Sequence, residues 1–209
     1  MHFILPYFYH THNHPSVCHK KKPYNHKSRN QQFLERESRA NQVRRKDISN
    51  LNYISIPDNL PLINSGNETF NQLLSNNSGM MRSYNTITGL KDKKILNLTG
   101  ISNTELKLSY GAANLTELTE YDDNFTTLIK AIASLGHALI DNNDTADALS
   151  FLEYGISIGS DISSNYIDLA IIYAATDRFD DIRKLKEKAG MLKSLSRDNI
   201  IEQLNNMLK

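Results

Sequence analysis

The sequence predicts an all-α chain: a short array of antiparallel helical hairpins, closed by a C-terminal capping helix and preceded by a flexible basic N-terminal arm. Three observations predict it. Apolar and small residues between Ile132 and Ile158 recur 34 positions later, a period that corresponds to one helical hairpin. Ser102-Asn-Thr-Glu105 has the S-x-x-E spacing in which a serine hydroxyl and a glutamate carboxylate satisfy the orphan amides of a helix start. Near the C-terminus, Ile200, Ile201, Leu204 and Leu208 share one helical stripe, while Asp198, Glu202, Gln203 and Lys209 face water.

Four segments follow from the N-terminus. Residues 1–29 read as a disordered, His-rich and partly apolar tail. Its apolar run, residues 1–9, is less than half of the roughly 20 residues that a membrane-spanning helix needs. It also carries Pro6 and lacks the charged start and small-residue cleavage site of a secretory leader. Six of the seven histidines lie in the first 26 residues, with His10, His12, His14, His19 and His26 around Cys18. Thr11-His-Asn-His-Pro-Ser16 resembles the H-x-H-P core of the JAMM metallopeptidases. That family also needs a downstream aspartate and an upstream glutamate, and no acidic residue precedes Glu35. The metal expectation is therefore none.

Residues 30–50 read as a basic helical arm, in which Phe33, Glu37, Ala40 and Val43 trace a thin stripe among arginines. Residues 51–84 read as an extended linker with short helical turns: Pro57 and Pro61 hold it extended, Tyr53, Ile54 and Ile56 are free to dock, and Phe70 to Leu74 makes one or two turns. Residues 85–209 form the helical repeat domain, whose first helix is expected over 103–121.

The formal net charge of +1 hides an asymmetry. Residues 20–46 carry ten Lys and Arg against Glu35 and Glu37, whereas the remainder after Lys46 carries fourteen basic and twenty-one acidic residues. A basic arm precedes an acidic body, and anionic lipid or nucleic-acid phosphates attract such an arm in a salt-dependent way. The single cysteine, Cys18, excludes an intramolecular disulfide framework and fits a reducing compartment. Asn-x-Ser/Thr triplets begin at Asn67, Asn76, Asn97, Asn114, Asn124 and Asn143, as an asparagine-rich chain generates by chance.

The 34-residue shift places Leu135 on Leu169, Gly136 on Ala170, Leu139 on Tyr173, Gly155 on Ala189 and Ile158 on Leu192; Ile132 meets Tyr166 and Ala148 meets Ile182. A large residue, Leu-Gly or Leu-Ala, then an aromatic in the first helix, with Asp177-Arg-Phe179-Asp-Asp181 at the turn, resembles the tetratricopeptide repeat. The likeness covers about residues 124–194. It departs from the family at Ser160 and Ser194, where the motif has proline, at Ile132, where it has an aromatic, and at Ile182 and Lys186, where it has a small and an aromatic residue. More broadly, residues 94–111 and Leu152-Glu-Tyr-Gly-Ile-Ser-Ile-Gly-Ser-Asp161 resemble an uncharacterised family of Gram-positive bacterial proteins. That likeness implies no known activity, and it implies a membrane-spanning helix before a basic stretch such as Arg44-Arg-Lys-Asp47, with the repeats in the cytoplasm or at the inner face of the membrane. The span is missing or truncated in this chain.

In a tetratricopeptide-like stack the first helices line the concave side. Here they supply Lys130, Ala133, His137 and Ile140, then Ser164, Ile167, Ile171 and Ala174, an expected groove for a protein or peptide partner, a helix in particular. The chain's own residues 53–56 are a second expected occupant. The basic-and-asparagine clamp with which some tetratricopeptide proteins hold a C-terminal carboxylate is missing from these positions, so no chaperone-tail binding is expected. No catalytic set is expected either, because the repeat domain has one histidine, no cysteine, no glycine-rich phosphate loop and no G-x-S-x-G elbow. The resulting expectation is a non-catalytic protein-interaction scaffold with no cofactor, no nucleic acid and, through the basic arm, an anionic membrane surface as a further partner. The alternatives are a nucleic-acid binder using residues 20–46 and a metal-dependent hydrolase using the N-terminal histidines.

Overall fold

A computed structural model describes residues 28–58, 60–61 and 68–209; the histidine cluster, Cys18 and the lysines at 20–22 lie outside the described residues. Among the described residues the chain is all-helical. The helices are α1 (Arg29–Asn41), α2 (Glu68–Asn76), α3 (Ser78–Gly89), α4 (Asn103–Tyr110), α5 (Leu115–Asp141), α6 (Thr145–Ser157), α7 (Ser163–Ala175), α8 (Phe179–Gly190) and α9 (Arg197–Met207), with one 3₁₀ turn at Ala112–Asn114. None of these helices is long and apolar enough to cross a membrane.

The basic arm is not free. Ser28 and Gln31 close a capping box on α1. The helix then lies on α4, burying Ala40 completely and pairing Glu37 with Lys107 and Thr104, and Arg36 with Glu105. Beyond α1 the chain stays extended and pinned: the Lys46 amide donates to the Tyr110 carbonyl at 3.0 Å, and Tyr53 donates its hydroxyl to the Ile48 carbonyl at 2.6 Å. Ile48, Leu96, Leu106 and Leu118 form a small core under this corner.

The helix expected over 103–121 begins where the capping box puts it, with Ser102 Oγ accepting from the Glu105 amide and Glu105 accepting from the Ser102 amide at 3.0 Å. It stops at Tyr110. Gly111 adopts φ 93°, ψ 144°, and the Arg44–Arg45 backbone runs so close that a side chain there would overlap the Arg44 carbonyl. Fully buried Asn114 then donates its amide to the carbonyls of Tyr110 (2.8 Å) and Lys46 (2.7 Å), occupying the acceptor that a continuing helix would use. The remainder of the expected helix joins the first repeat helix as α5, 27 residues without a break.

The segment expected to be a linker is part of the main core. The 84/85 boundary falls inside α3, whose start is capped by Asn77 Oδ1 accepting from the Gly79 and Met80 amides. Phe70 of α2 meets Tyr84 edge-on with ring centroids 5.8 Å apart and stacks on Phe151 of α6 at 6.3 Å. Ile56, Leu60, Leu74, Met80 and Ile87 are buried in the same cluster as Phe125, Leu128, Leu135 and Leu139 of α5. The turn-rich sequence marks the ends of α2 and α3; burial against α5 and α6, invisible to a local reading, sustains their length.

From α5 onward successive helices pack on one another, and α5 also touches α7 while α9 rests on α7 and α8. The two connections that separate α5 from α6 and α7 from α8 are built alike. Asn143 and Asp177 both hold left-handed backbone, with φ 60° and 56°. One residue on, the Asp144 amide donates to Leu139 O at 2.9 Å and the Arg178 amide to Tyr173 O at 2.8 Å. Every 34-residue pair from the sequence matches in burial: Ile132 and Tyr166, Leu135 and Leu169, Leu139 and Tyr173, and Ala148 and Ile182 are buried, and Ile158 and Leu192 are both half-buried.

Candidate functional site

The expected groove residues sit on α5 and α7, with Lys130, His137, Ser164 and Ile171 exposed, Ile140, Ile167 and Ala174 half-buried and Ala133 buried. Buried Leu128, Ile132, Leu135 and Leu139 on α5 and Leu169, Ala170 and Tyr173 on α7 fix the rotation of each helix. The opposite positions of each are left to face a groove of about 630 Å³. Lys130, Ala133, Ser134 and His137 form one wall, and Ile162, Ser163, Ser164, Ile167 and Asp168 the other. Gln203 of α9 closes the end, half-buried although the sequence placed it in water.

Five of the eight expected residues line this groove: Lys130, Ala133, His137, Ser164 and Ile167. Ile140, Ile171 and Ala174 lie further along the same helices and do not line it, with Ile171 48% exposed and Ile140 and Ala174 packed against the core edge. The chain's own residues 53–56 do not reach it. Ile54 donates its amide to Ile95 O at 2.9 Å, Tyr154 of α6 donates its hydroxyl to Ser55 O at 3.2 Å, and Ile56 is buried in the main core.

Sequence reasoning missed Ser134, Ile162, Ser163 and Gln203 of the lining and, with the most chemistry, Asp168. It is 7% exposed, and its Oδ2 lies 3.1 Å from His137 Nδ1, while Nε2 of the same ring lies 3.8 Å from Asp141 Oδ2. Burial pushes the Asp168 carboxyl above the ordinary carboxylate range, and His137 opposes that shift by charge and hydrogen bonding. The signal was present in the sequence, since Asp168 falls four residues after Ser164 and so shares its helical face.

An imidazole fixed by a buried carboxylate has two members of a nucleophilic relay, but its second nitrogen faces Asp141 rather than a serine hydroxyl. What the pair supplies is an oriented polar point among the apolar, hydroxyl, lysine and glutamine side chains of the lining. Among the described residues no three His, Cys, Asp or Glu side chains come together as a metal site. Among the arm's described cations, Arg36 and Arg45 are tied to Glu105 and Glu117, while its acid Glu37 is taken by Lys107 of α4.

A second cluster holds α6 against α7 and α8. Tyr173 donates its hydroxyl to Glu153 Oε1 at 2.8 Å, and the Arg178 guanidinium lies over the Tyr173 ring at 4.3 Å while bonding Asp181 at 2.8 Å. These groups are satisfied by one another, and they fix the second turn rather than offer themselves to a ligand.

No protein-family model, curated protein or solved structure matches this chain.

Proposed function

We propose that this chain is a non-catalytic, tetratricopeptide-like interaction module whose groove between α5 and α7 takes a partner helix or peptide. The observation that supports this reading is the coincidence of two periodicities. The residues that repeat after 34 positions match in burial, and the backbone repeats its left-handed turn at Asn143 and Asp177. That makes two similar helical units whose free faces flank one groove, as in arrays that bind extended or helical partners. Ala133, Ile162 and Ile167 give the groove its apolar part; the His137–Asp168 pair gives it a fixed polar point that sets a partner's direction, and exposed Lys130 adds a cation. The lone cysteine at position 18 fits a reducing compartment, so the module is read as cytoplasmic.

Affinity capture from native cells with the full chain tests the reading. Wild type is compared with Ile167→Glu, Ser164→Glu and, as a control on an exposed site away from the groove, Leu34→Glu. The reading expects partners that are kept by Leu34→Glu and lost by the two groove-side variants, with helical content unchanged in all three. The same partner set on all four proteins overturns it.

A further inference from the structure

The connection from α8 to α9 has a composition unlike the rest of the surface. With the helix ends that flank it, from Lys188 to Arg197, it reads Lys-Ala-Gly-Met-Leu-Lys-Ser-Leu-Ser-Arg, with three cations and no acid; of the cations, Lys193 lies in the connection itself. Met191 is 73% exposed and Leu195 104% exposed, while Leu192, between them, is half-buried and anchors the loop. Ile101, 42% exposed, stands on the facing wall in the turn before α4. The Lys193 stem lies on Gly100, where an added Cβ would meet its Cβ at 3.2 Å, so the loop is held against the 99–101 turn.

Lys188 and Lys193 edge a cavity of about 500 Å³ beside these apolar tips. Neither forms an ion pair among the described residues, whereas Lys184 is tied to Asp181 and Arg197 to Asp198. Asp161 on the cavity wall, Glu187 next to Lys188 and Asp198 next to Arg197 are acids near this loop in sequence or space. A peptide seated in the cavity would cover Ile101 and Met191 yet leave Leu195, which is not part of the lining. A surface laid across the loop reaches Leu195 too.

We propose that this loop docks on an anionic lipid surface, with Met191 and Leu195 entering the interface and Lys188 and Lys193 meeting headgroup phosphates. Lys188 and Lys193, neither held in an ion pair, sit beside apolar tips, the pairing that binds protein segments to anionic interfaces. The site is separate from the groove of α5 and α7, so either proposal can fail without the other.

The chain contains no tryptophan, so a single Leu195→Trp substitution is a clean reporter. The full-length variant is titrated with vesicles of phosphatidylcholine alone and of phosphatidylcholine with one quarter phosphatidylglycerol, and a Phe33→Trp variant reports on α1. The expected result is a blue-shifted emission of Trp at 195 on anionic vesicles only, quenched by brominated acyl chains. Adding Lys188→Gln or Lys193→Gln should weaken the vesicle affinity by roughly fivefold each. If only the Phe33 reporter responds, the arm binds the lipid and the loop does not, and the proposal falls. Trp at 195 that stays unshifted on vesicles but shifts with an acidic amphipathic peptide also overturns it, in favour of a protein partner.

Discussion

Asn143 and Asp177 occupy the same left-handed corner of two successive helical turns, with φ values of 60° and 56° and a spacing of 34 residues. Each pays a steric cost that glycine avoids, although asparagine and aspartate bear it better than other side chains. Replacing either by glycine is expected to be neutral or to stabilise by up to ~1 kcal/mol, and valine at either site is expected to cost about 1–2 kcal/mol. Urea unfolding of the four variants checks this; valine tolerated at both positions would mean that the corner is not left-handed in solution.

Close approach of helices depends on two glycines. A Cβ on Gly136 would lie 2.6 Å from Leu152 Cδ2, and one on Gly155 would lie 2.6 Å from Asn165 Nδ2 and 3.0 Å from Ile132 Cγ2. Crowding a packed core costs about 1–3 kcal/mol, which outweighs the ~1 kcal/mol that alanine gains over glycine inside a helix. Gly136→Ala and Gly155→Ala are therefore expected to lower the unfolding midpoint. Gly190→Ala, where a Cβ meets nothing within 4 Å, is expected to raise it. A stabilised Gly136→Ala variant would contradict the α5–α6 spacing.

Titration of Asp168 gives a pH signature. Its carboxyl is raised in the folded state, chiefly by burial and against the pull of His137, so folding favours its protonated form. Its contribution to stability is complete below the unfolded carboxylate value of 3.8 and is lost as pH rises through the raised folded value. Asp168→Asn keeps the shape and a polar group for His137 while removing the charge. Its stability relative to wild type is expected to climb as pH rises from about 4 and then level off. A difference independent of pH between 3 and 7 would show that Asp168 titrates normally.

Gly111 has a backbone conformation and a neighbour that both exclude a side chain. Gly111→Ala is expected to separate the Arg44–Lys46 stretch from the α4–α5 corner, breaking the Lys46–Tyr110 hydrogen bond and loosening α1. Hydrogen exchange should rise across residues 29–48 while α6 to α9 keep their protection. Protection lost evenly over the whole chain would mean that the N-terminal corner and the repeats fold as one unit.

Local signals carried the part of the fold whose cause is local. Ser102 and Glu105 met as a capping box because their spacing alone positions them, and Leu135, Leu169, Leu139 and Tyr173 were found because burial imposes a period on the sequence. The break at Gly111 was not legible within the helix expected over 103–121, since nothing near it in sequence tells that Arg44 passes over it; that information sits 67 positions away. Met80, Tyr84 and Ile87 were not recognised as one helix face, because α5, which buries them, lies far along the chain. In the groove, the sequence located Lys130, Ala133, His137, Ser164 and Ile167 by counting along helices. It missed Gln203 because the approach of α9 is a tertiary event, and Asp168 because its partner His137 lies 31 positions away on another helix.

The single helix α5 has one end in each of two cores. Leu118 belongs with Ile48, Leu96 and Leu106, and Phe125 to Leu139 belong with the packing of α2, α3, α6 and α7. At 1.5 Å per residue it is a rod of about 40 Å. Because no hinge interrupts it, the N-terminal corner and the α5–α7 groove cannot swing independently. A pull or a tether acting on the arm is transmitted along this axle to the walls of the groove.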